Sequence, residues 1–506
     1  MNRIATRLTL GLCCLFSGLL PAYAGNQTAT FSPVSKWDRD YNIKVKPFSM
    51  GTAAVPGLHS FASGQVGDEW VVLAGKTGGM HSFDSGNTSA WVIDPVTRHA
   101  WGRDLNDPTS GLSQHAIYSL SSSNSQSYQR DETLFITGGY VYETDADNFT
   151  TYNDLTAVNL PELITWVKSP GTTMPANTML QTAGTIGSGT DYEGGLFQVT
   201  GGGMYEINGT TQIVFGQQYK GPYLHDGSYQ KYTSQVRTFQ IDYDHVAGTL
   251  NYFNAEVHPD GGDPTQFMRR DLNAFPVLTK DSNGDDQLSG LALSGVFFAD
   301  SGIWTAPVEI SPTGIPLMED PATDPSVFKQ ALNGYECARL GLYSSTTGEM
   351  TEVLFGGITA NEFVNDPATG NLAYRQSFPF TNQISAVTID PSGEYNQSYL
   401  GDYPLLYSPA GTRYLFGSNA EFFPSTEISL LEGDIIDLDA IEGRTLLGYI
   451  YGGIAAGGPN GGFSGDSIAS RQVFTVELVP VPEPATAWLL YLGIAGACAR
   501  WRRRRR

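Results

Sequence analysis

Seven histidines could carry metal or acid–base chemistry: His59, His81, His99, His115, His225, His245 and His258. None stands in an H-x-H, H-E-x-x-H or Cys–His spacing that would bring two donors to one cation. No G-x-S-x-G elbow and no phosphate-cradling Gly-rich loop with its Lys-Ser/Thr is present. Asp281, Asn283 and Asp285 place oxygen-bearing side chains at alternate positions, as at the start of a calcium loop. Gly284 stands fourth rather than sixth, and Ala292 occupies the place of the bidentate glutamate. Asn283-Gly284 is a hairpin turn signal in its own right, and the turn is the stronger reading. No cofactor is expected; calcium at this loop is the alternative, and a copper site built from His and Tyr of separate loops is a more remote one. Two clusters could line a face where loops converge: Gly78-Gly79-Met80-His81-Ser82-Phe83-Asp84 and Met268-Arg269-Arg270-Asp271. His81, Asp84, Arg269 and Arg270 are their candidate residues, although a turn or a structural ion pair is the stronger reading of each.

The ends carry addresses. Arg3 and Arg7, the apolar run Leu8 to Leu20, and Ala22-Tyr23-Ala24 form a secretory leader, with cleavage expected between Ala24 and Gly25. At the other end Pro482-Glu483-Pro484 precedes an apolar run, Ala487 to Ala499, and then Arg500 and Arg502 to Arg506. Trp488 and Trp501 suit the two interfaces of a bilayer, and the arginines mark the cytoplasmic end of a transmembrane helix. This tripartite end resembles the PEP-CTERM sorting signal. The resemblance implies that Pro482, Glu483 and Pro484 are the recognition motif for an exosortase of a Gram-negative bacterium. It further implies a membrane-anchored intermediate facing the periplasm, followed by transfer to the cell surface or the extracellular matrix.

Of the four cysteines, Cys13 and Cys14 lie in the leader and Cys498 in the tail. Cys337 alone remains in the body, so no internal disulfide can form there, and a buried strand residue is expected rather than a nucleophile. Removing the two leader and six tail arginines from 29 basic residues leaves 21 against 51 acidic ones, a charge of −30 on residues 25–484. Such a surface repels phosphate and excludes a nucleic-acid partner. An extracellular polysaccharide or matrix protein remains the natural class of partner.

The elements that would position any site are strands. Only Asp324 to Gly334 reads as a helix, with Asp324 as N-cap, Pro325 behind it and Gly334 as the stop. Elsewhere one apolar run ending in glycine recurs: Val71–Gly75, Leu134–Gly139, Gln212–Gly216, Leu293–Phe298, Val353–Gly357 and Gly448–Gly453. Each is followed by an alternating run: Ser89–Asp94, Asp154–Val158, Thr233–Phe239, Ala306–Ile310, Thr381–Val387 and Arg471–Val476. Six such pairs argue for six antiparallel modules. The unit resembles kelch repeats, which implies an all-β fold: a single six-bladed propeller of four-stranded blades over residues 25–480. An N-terminal signal helix (1–24) and a C-terminal sorting segment (481–506) complete the organisation. The glycine runs lie about 60 to 95 residues apart, against roughly 50 in kelch. The excess reads as long face loops, among them Thr359 to Pro379 and Gly457 to Ser467. Tyr41 to Lys46 is expected to supply the outer strand that closes the ring. Two packed β-sandwiches are the competing architecture.

Two functions are compatible with this reading. One is an exported propeller that binds glycan or protein. The other is a carbohydrate-active propeller enzyme (epimerase, lyase or oxidase), which three or more buried titratable groups converging in one channel mouth would favour.

Overall fold

Antiparallel four-stranded meanders recur along the chain because each alternating run pairs with the glycine-ended run before it. The computed structural model describes residues 31–482, except 83–85, 185–194, 224–226, 260–264, 299–301, 364–371, 375–379 and 459–465. The protein is all-β. The first sheet is Ala62–Val66, Glu69–Leu73, Ser89–Asp94 and His99–Asp104. The second is Gln126–Arg130, Thr133–Thr137, Asp154–Asn159 and Met179–Ala183. The third is Gly203–Ile207, Thr210–Val214, Val236–Asp244 and Thr249–His258. The fourth is Asn273–Lys280, Asp286–Leu293, Val308–Ile310 and Pro316–Leu317. The fifth contains Ala338–Ser344, Glu349–Ile358, Phe380–Ile389 and Tyr395–Asp402, and is widened to seven strands by short flanking pieces.

The sixth sheet is assembled from both ends of the body. Ala420–Pro424, Thr445–Gly452 and Val473–Pro480 come from the C-terminal part, and Tyr41–Phe48 pairs antiparallel with Val473–Pro480, Tyr41 opposite Pro480. The strand expected at Tyr41 to Lys46 therefore pairs as an outer strand of this sheet, and it covers what would otherwise be an exposed row of N–H and C=O groups. In all six sheets the glycine run ends the second strand and the alternating run forms the third.

The core lies between successive sheets. Val71, Leu73, Leu134 and Val158 fill the layer between the first and second, and Phe135, Leu155, Val199 and Ile213 the next. One larger cluster runs through the third, fourth and fifth sheets, and another joins the fifth to the sixth. The sixth meets the first through Trp70 stacked on Phe423, with ring centroids 4.6 Å apart. Each sheet buries apolar side chains on both faces, which is why the strands read as nearly continuous hydrophobic runs.

The helix expected at Asp324–Gly334 does not form. Asp324 caps a turn, accepting from the Ser326 N–H at 2.8 Å, but the following backbone is claimed by distant side chains. Gln397 Oε1 accepts the N–H groups of Ala331 (2.9 Å) and Leu332 (3.0 Å), and Ser32 Oγ accepts that of Lys329 (2.9 Å). These tertiary acceptors replace the i−4 carbonyls that a helix would need. Helices form instead at Gln114–Ser119 and at Leu160–Lys168, the latter capped by Asn159, whose side chain accepts from the Glu162 N–H. Among the described residues no helix is long and apolar enough to cross a membrane. The expected leader helix and tail helix lie outside the described residues.

Candidate functional site

The glycine runs fix one end of five of the six sheets close to a neighbour. Gly75 N–H donates to Ser122 O (2.7 Å), Gly139 to Val199 O (2.8 Å), Gly216 to Arg269 O (2.9 Å), Gly357 to Phe416 O (3.3 Å) and Gly453 to Leu58 O (2.8 Å). These bonds join the first sheet to the second, second to third, third to fourth, fifth to sixth, and sixth back to the first. Between the fourth and fifth, Asn273 makes the join with its side chain, donating to Gly334 O (2.8 Å) and accepting from the Cys337 N–H (3.1 Å). The close approach requires glycine: a Cβ on Gly138 would stand 1.9 Å from the Val199 carbonyl oxygen.

Beside these contacts lies a second series. Ser60, Asn124, Gly201, Asp271, Glu336 and Asn419, each shortly before a first strand, all adopt left-handed φ between 48° and 67°. Their backbones hydrogen-bond in series: Asn419 to Glu336, Ser60 to Asn419, Asn124 to Ser60, Gly201 to Asn124 and Asp271 to Gly201. The turn they make aims polar side chains from several sheets at one place.

That place is a cavity of 540 Å³ lined by residues just before the first strands of all six sheets and by the connections between second and third strands, with Ile358 and Phe380 from the fifth sheet itself. Those connections carry hairpins of their own. Tyr140–Glu143 and Asn148–Thr151 from the second sheet join Gln217–Lys220 and Tyr229–Tyr232 from the third in one small sheet. The fifth and sixth contribute Asn361–Phe363 with Leu372–Tyr374, and Ile454–Ala456 with Ser467–Ala469. These are the described parts of the long loops expected from the sequence.

Aromatic rings and charged groups share the wall. Tyr219 and Tyr223 are 5.4 Å apart between ring centroids, and His81 lies 5.1 Å from Tyr223. Arg270 pairs with Asp271, donates to the Tyr223 hydroxyl at 2.9 Å and to the Tyr232 hydroxyl at 3.3 Å. Burial works against the Arg270 charge, but Asp271, Tyr223 and Tyr232 outweigh it and hold the guanidinium above its ordinary pKa. Glu336 is also pushed up, which for a carboxyl favours the neutral form: burial, then the Asp271 charge, raise it well above the carboxylate range. Burial lowers Lys76 to about 8, and its ammonium donates to Ser82 O at 3.0 Å. Burial, aided by Lys76, lowers His59 to about 3 and leaves it neutral. The pocket thus holds a buried carboxyl whose pKa is raised, a carboxylate paired with Arg270, a lysine whose pKa is lowered and a neutral imidazole among aromatic faces. Such a set can stack on a ring, hydrogen-bond its hydroxyls and move a proton.

Of the residues singled out in the sequence, His81 and Arg270 line this cavity. Arg269 points behind it, buried against Trp304 with its guanidinium 4.5 Å from that ring and donating to Ala306 O at 2.9 Å. Asp84 lies outside the described residues. Asp281, Asn283 and Asp285 sit at the opposite end of the fourth sheet, in the hairpin turn between Asn273–Lys280 and Asp286–Leu293. There Asp281 Oδ1 accepts the N–H groups of Asn283 (2.8 Å) and Asp285 (2.9 Å). Sequence reasoning missed Lys76, Tyr223 and Glu336. Aligning the residue two before each first strand would have found Glu336 beside Asp271. Pro482 is the last described residue, and Ala24, Gly25, Glu483 and Pro484 lie outside that range.

Residues 480–505 match the PEP-CTERM protein-sorting motif. The chain carries an exosortase sorting signal. It is an exported protein recognised by an exosortase, with a surface or extracellular destination. No curated protein matches the chain. Among solved structures it is similar to one titled "Structure of YjhT", at 12% identity over 86% of this chain and 98% of that one. The TM-score is 0.41, and at that value the likeness carries no argument.

Proposed function

We propose that residues 25–480 form one six-bladed, kelch-like propeller that binds a glycan in its axial pocket. An exosortase delivers it by way of a membrane-anchored intermediate facing the periplasm. Support for the ring comes from the hydrogen bonds running from each sheet to the next and from the sixth sheet's use of Tyr41–Phe48. Deleting residues 41–48 should then expose the edge of Val473–Pro480 and yield aggregates in analytical ultracentrifugation. A deletion variant that stays monomeric and melts like the parent would count against closure.

The observation that carries the binding reading is the 540 Å³ cavity, in which aromatic faces stand beside hydrogen-bonding charged groups. Pyranose rings present apolar faces and polar edges, and this combination suits both. A glycan array on the mature chain should return ligands whose affinity drops tenfold or more in Tyr223→Ala, with an unchanged melting temperature. Equal binding by that variant would remove the pocket from the account.

A specific observation favours a second reading, a carbohydrate-active enzyme. Glu336, His59, Lys76 and Asp271 converge in one mouth, and a carboxyl whose pKa is raised by burial beside a second carboxyl paired with Arg270 suits general acid–base work. In that case Glu336→Gln should retain glycan binding and lose turnover of the bound sugar. Turnover at the parent rate in Glu336→Gln would exclude Glu336 as the acid.

A further inference from the structure

The chain leaves the sixth sheet at a defined end. Val473 pairs with Tyr451 beside the pocket, where Ser470 N–H donates to Gly453 O at 2.8 Å and Ile454 lines the cavity. From there Val473–Pro480 runs eight residues to the opposite end, about 25 Å away at roughly 3.4 Å per residue. Pro480 pairs with Tyr41, and Val481 N–H then donates to Asp40 O at 2.6 Å. The body therefore stays tied down to one residue before Pro482. In the sequence only Glu483, Pro484, Ala485 and Thr486 separate Pro482 from the apolar run. Four residues reach at most about 14 Å when fully extended.

We propose that in the anchored intermediate the face opposite the pocket is apposed to the lipid bilayer, and the pocket opens away from it. The inference rests on the anchored-intermediate reading above. A tether of about 14 Å attached at the far end cannot let a body about 25 Å tall turn over and bring its pocket rim to the membrane. The far-face turns are mixed in character: Asp281, Asp285, Asp390 and Glu394, which anionic headgroups repel, stand beside exposed Val96, Val246 and Ile315. Apposition is imposed by the tether, whatever the far face itself contributes. The pocket is thereby presented to whatever lies outside while the sorting motif is held at the membrane surface, within reach of a membrane-embedded protease.

The test uses the full chain, with Cys337→Ala and Cys498→Ala, in inner membranes of a host lacking the exosortase. A fluorophore is placed either at the far turn (Asn283→Cys) or at the pocket rim (Tyr229→Cys), and a headgroup-nitroxide lipid is added as quencher. The far-turn reporter should be quenched several-fold more strongly. Inserting a Gly-Ser segment of about 20 residues between Val481 and Pro482 should abolish the difference. Equal quenching, or stronger quenching at the rim, in chains that co-sediment with membrane would overturn the orientation alone. Failure to co-sediment would overturn the anchored intermediate, and the orientation with it.

Discussion

The two ends of the sheets use glycine for different reasons. At the pocket end the requirement is steric. A Cβ on Gly138 or Gly417 would stand 1.9 Å from a neighbouring sheet's carbonyl oxygen, and one on Gly356 would stand 2.3 Å from Phe416 O. At the far end Gly67, Gly209, Gly284 and Gly393 also have positive φ, yet a Cβ on any of them would meet nothing within 4 Å. The same residue type thus closes inter-sheet contacts at one end and merely turns hairpins at the other. The pocket end is rigidly specified by contact, and the far end by local chemistry.

The sharpest way to break that distinction is a pair of substitutions. Gly138→Ala should cost about 3 kcal/mol or more, because a backbone carbonyl and not a flexible side chain stands in the way. Gly209→Ala should cost about 1 kcal/mol, the strain of a left-handed alanine alone. Denaturant unfolding of both variants measures the gap. Similar losses would mean that the pocket-end contact relaxes readily and that the two ends do not differ in kind.

A second pair probes the fourth-to-fifth junction. Asn273 is 4% exposed and satisfies the Gly334 carbonyl and the Cys337 N–H. Asn273→Ala strands both groups and should cost about 2–4 kcal/mol. Asn283→Ala, in an exposed far-end turn, should stay within about 1 kcal/mol. If Asn273→Ala is as mild as Asn283→Ala, the side-chain link is not what joins these two sheets.

The same contrast explains what could be read from the sequence. The six strand pairs, the outer strand at Tyr41 to Lys46 and the turn at Asn283-Gly284 were legible because each is encoded locally, by alternation or by turn chemistry. The pocket was only partly legible. His81 and Arg270 stand beside conspicuous glycine or charge clusters, whereas Lys76, Tyr223 and Glu336 sit in ordinary-looking stretches. Only the joining of six sheets brings those residues together. Asp324–Gly334 failed for a related reason: its caps are local, but Gln397 and Ser32, which take its backbone N–H groups, are distant in sequence.

Between the two ends, Glu352 offers a pH-dependent probe. Its side chain is 2% exposed, Oε1 accepts from Arg339 at 3.1 Å, and Oε2 has no hydrogen-bond partner among the described residues. Burial raises its pKa from 4.5 to about 7, with Arg339 pulling the other way. Between these values the folded chain keeps a proton that the unfolded chain has lost, so this group makes stability fall as pH rises. The loss is complete above pH 7 and amounts to at most about 3 kcal/mol. Glu352→Gln should flatten that slope and be most stabilising at pH 7.5. Urea midpoints at pH 5 and pH 7.5 decide it, and an unchanged slope would place the charge of Glu352 in contact with water.

The smallest expected effect concerns Cys337, which sits where the fourth, fifth and sixth sheets meet at the pocket end. Its N–H donates to Asn273, it bridges to Ser418, and its Cβ would lie 2.8 Å from a Cβ placed on Gly357. Burial first, with the Glu352 charge adding to it, pushes the thiol up to about 12, so almost none of it is thiolate at neutral pH. Cys337→Ala removes one buried sulfur from a site already close-packed against backbone, and should cost about 1 kcal/mol while leaving glycan binding unchanged. In the native chain a thiol reagent should modify Cys337 only as fast as the protein opens, and quickly once urea has unfolded it. Labelling that outruns global unfolding, as timed by tryptophan fluorescence, would show that the pocket end opens locally. The rigidity assigned to that end, against the locally specified far end, would then have to be given up.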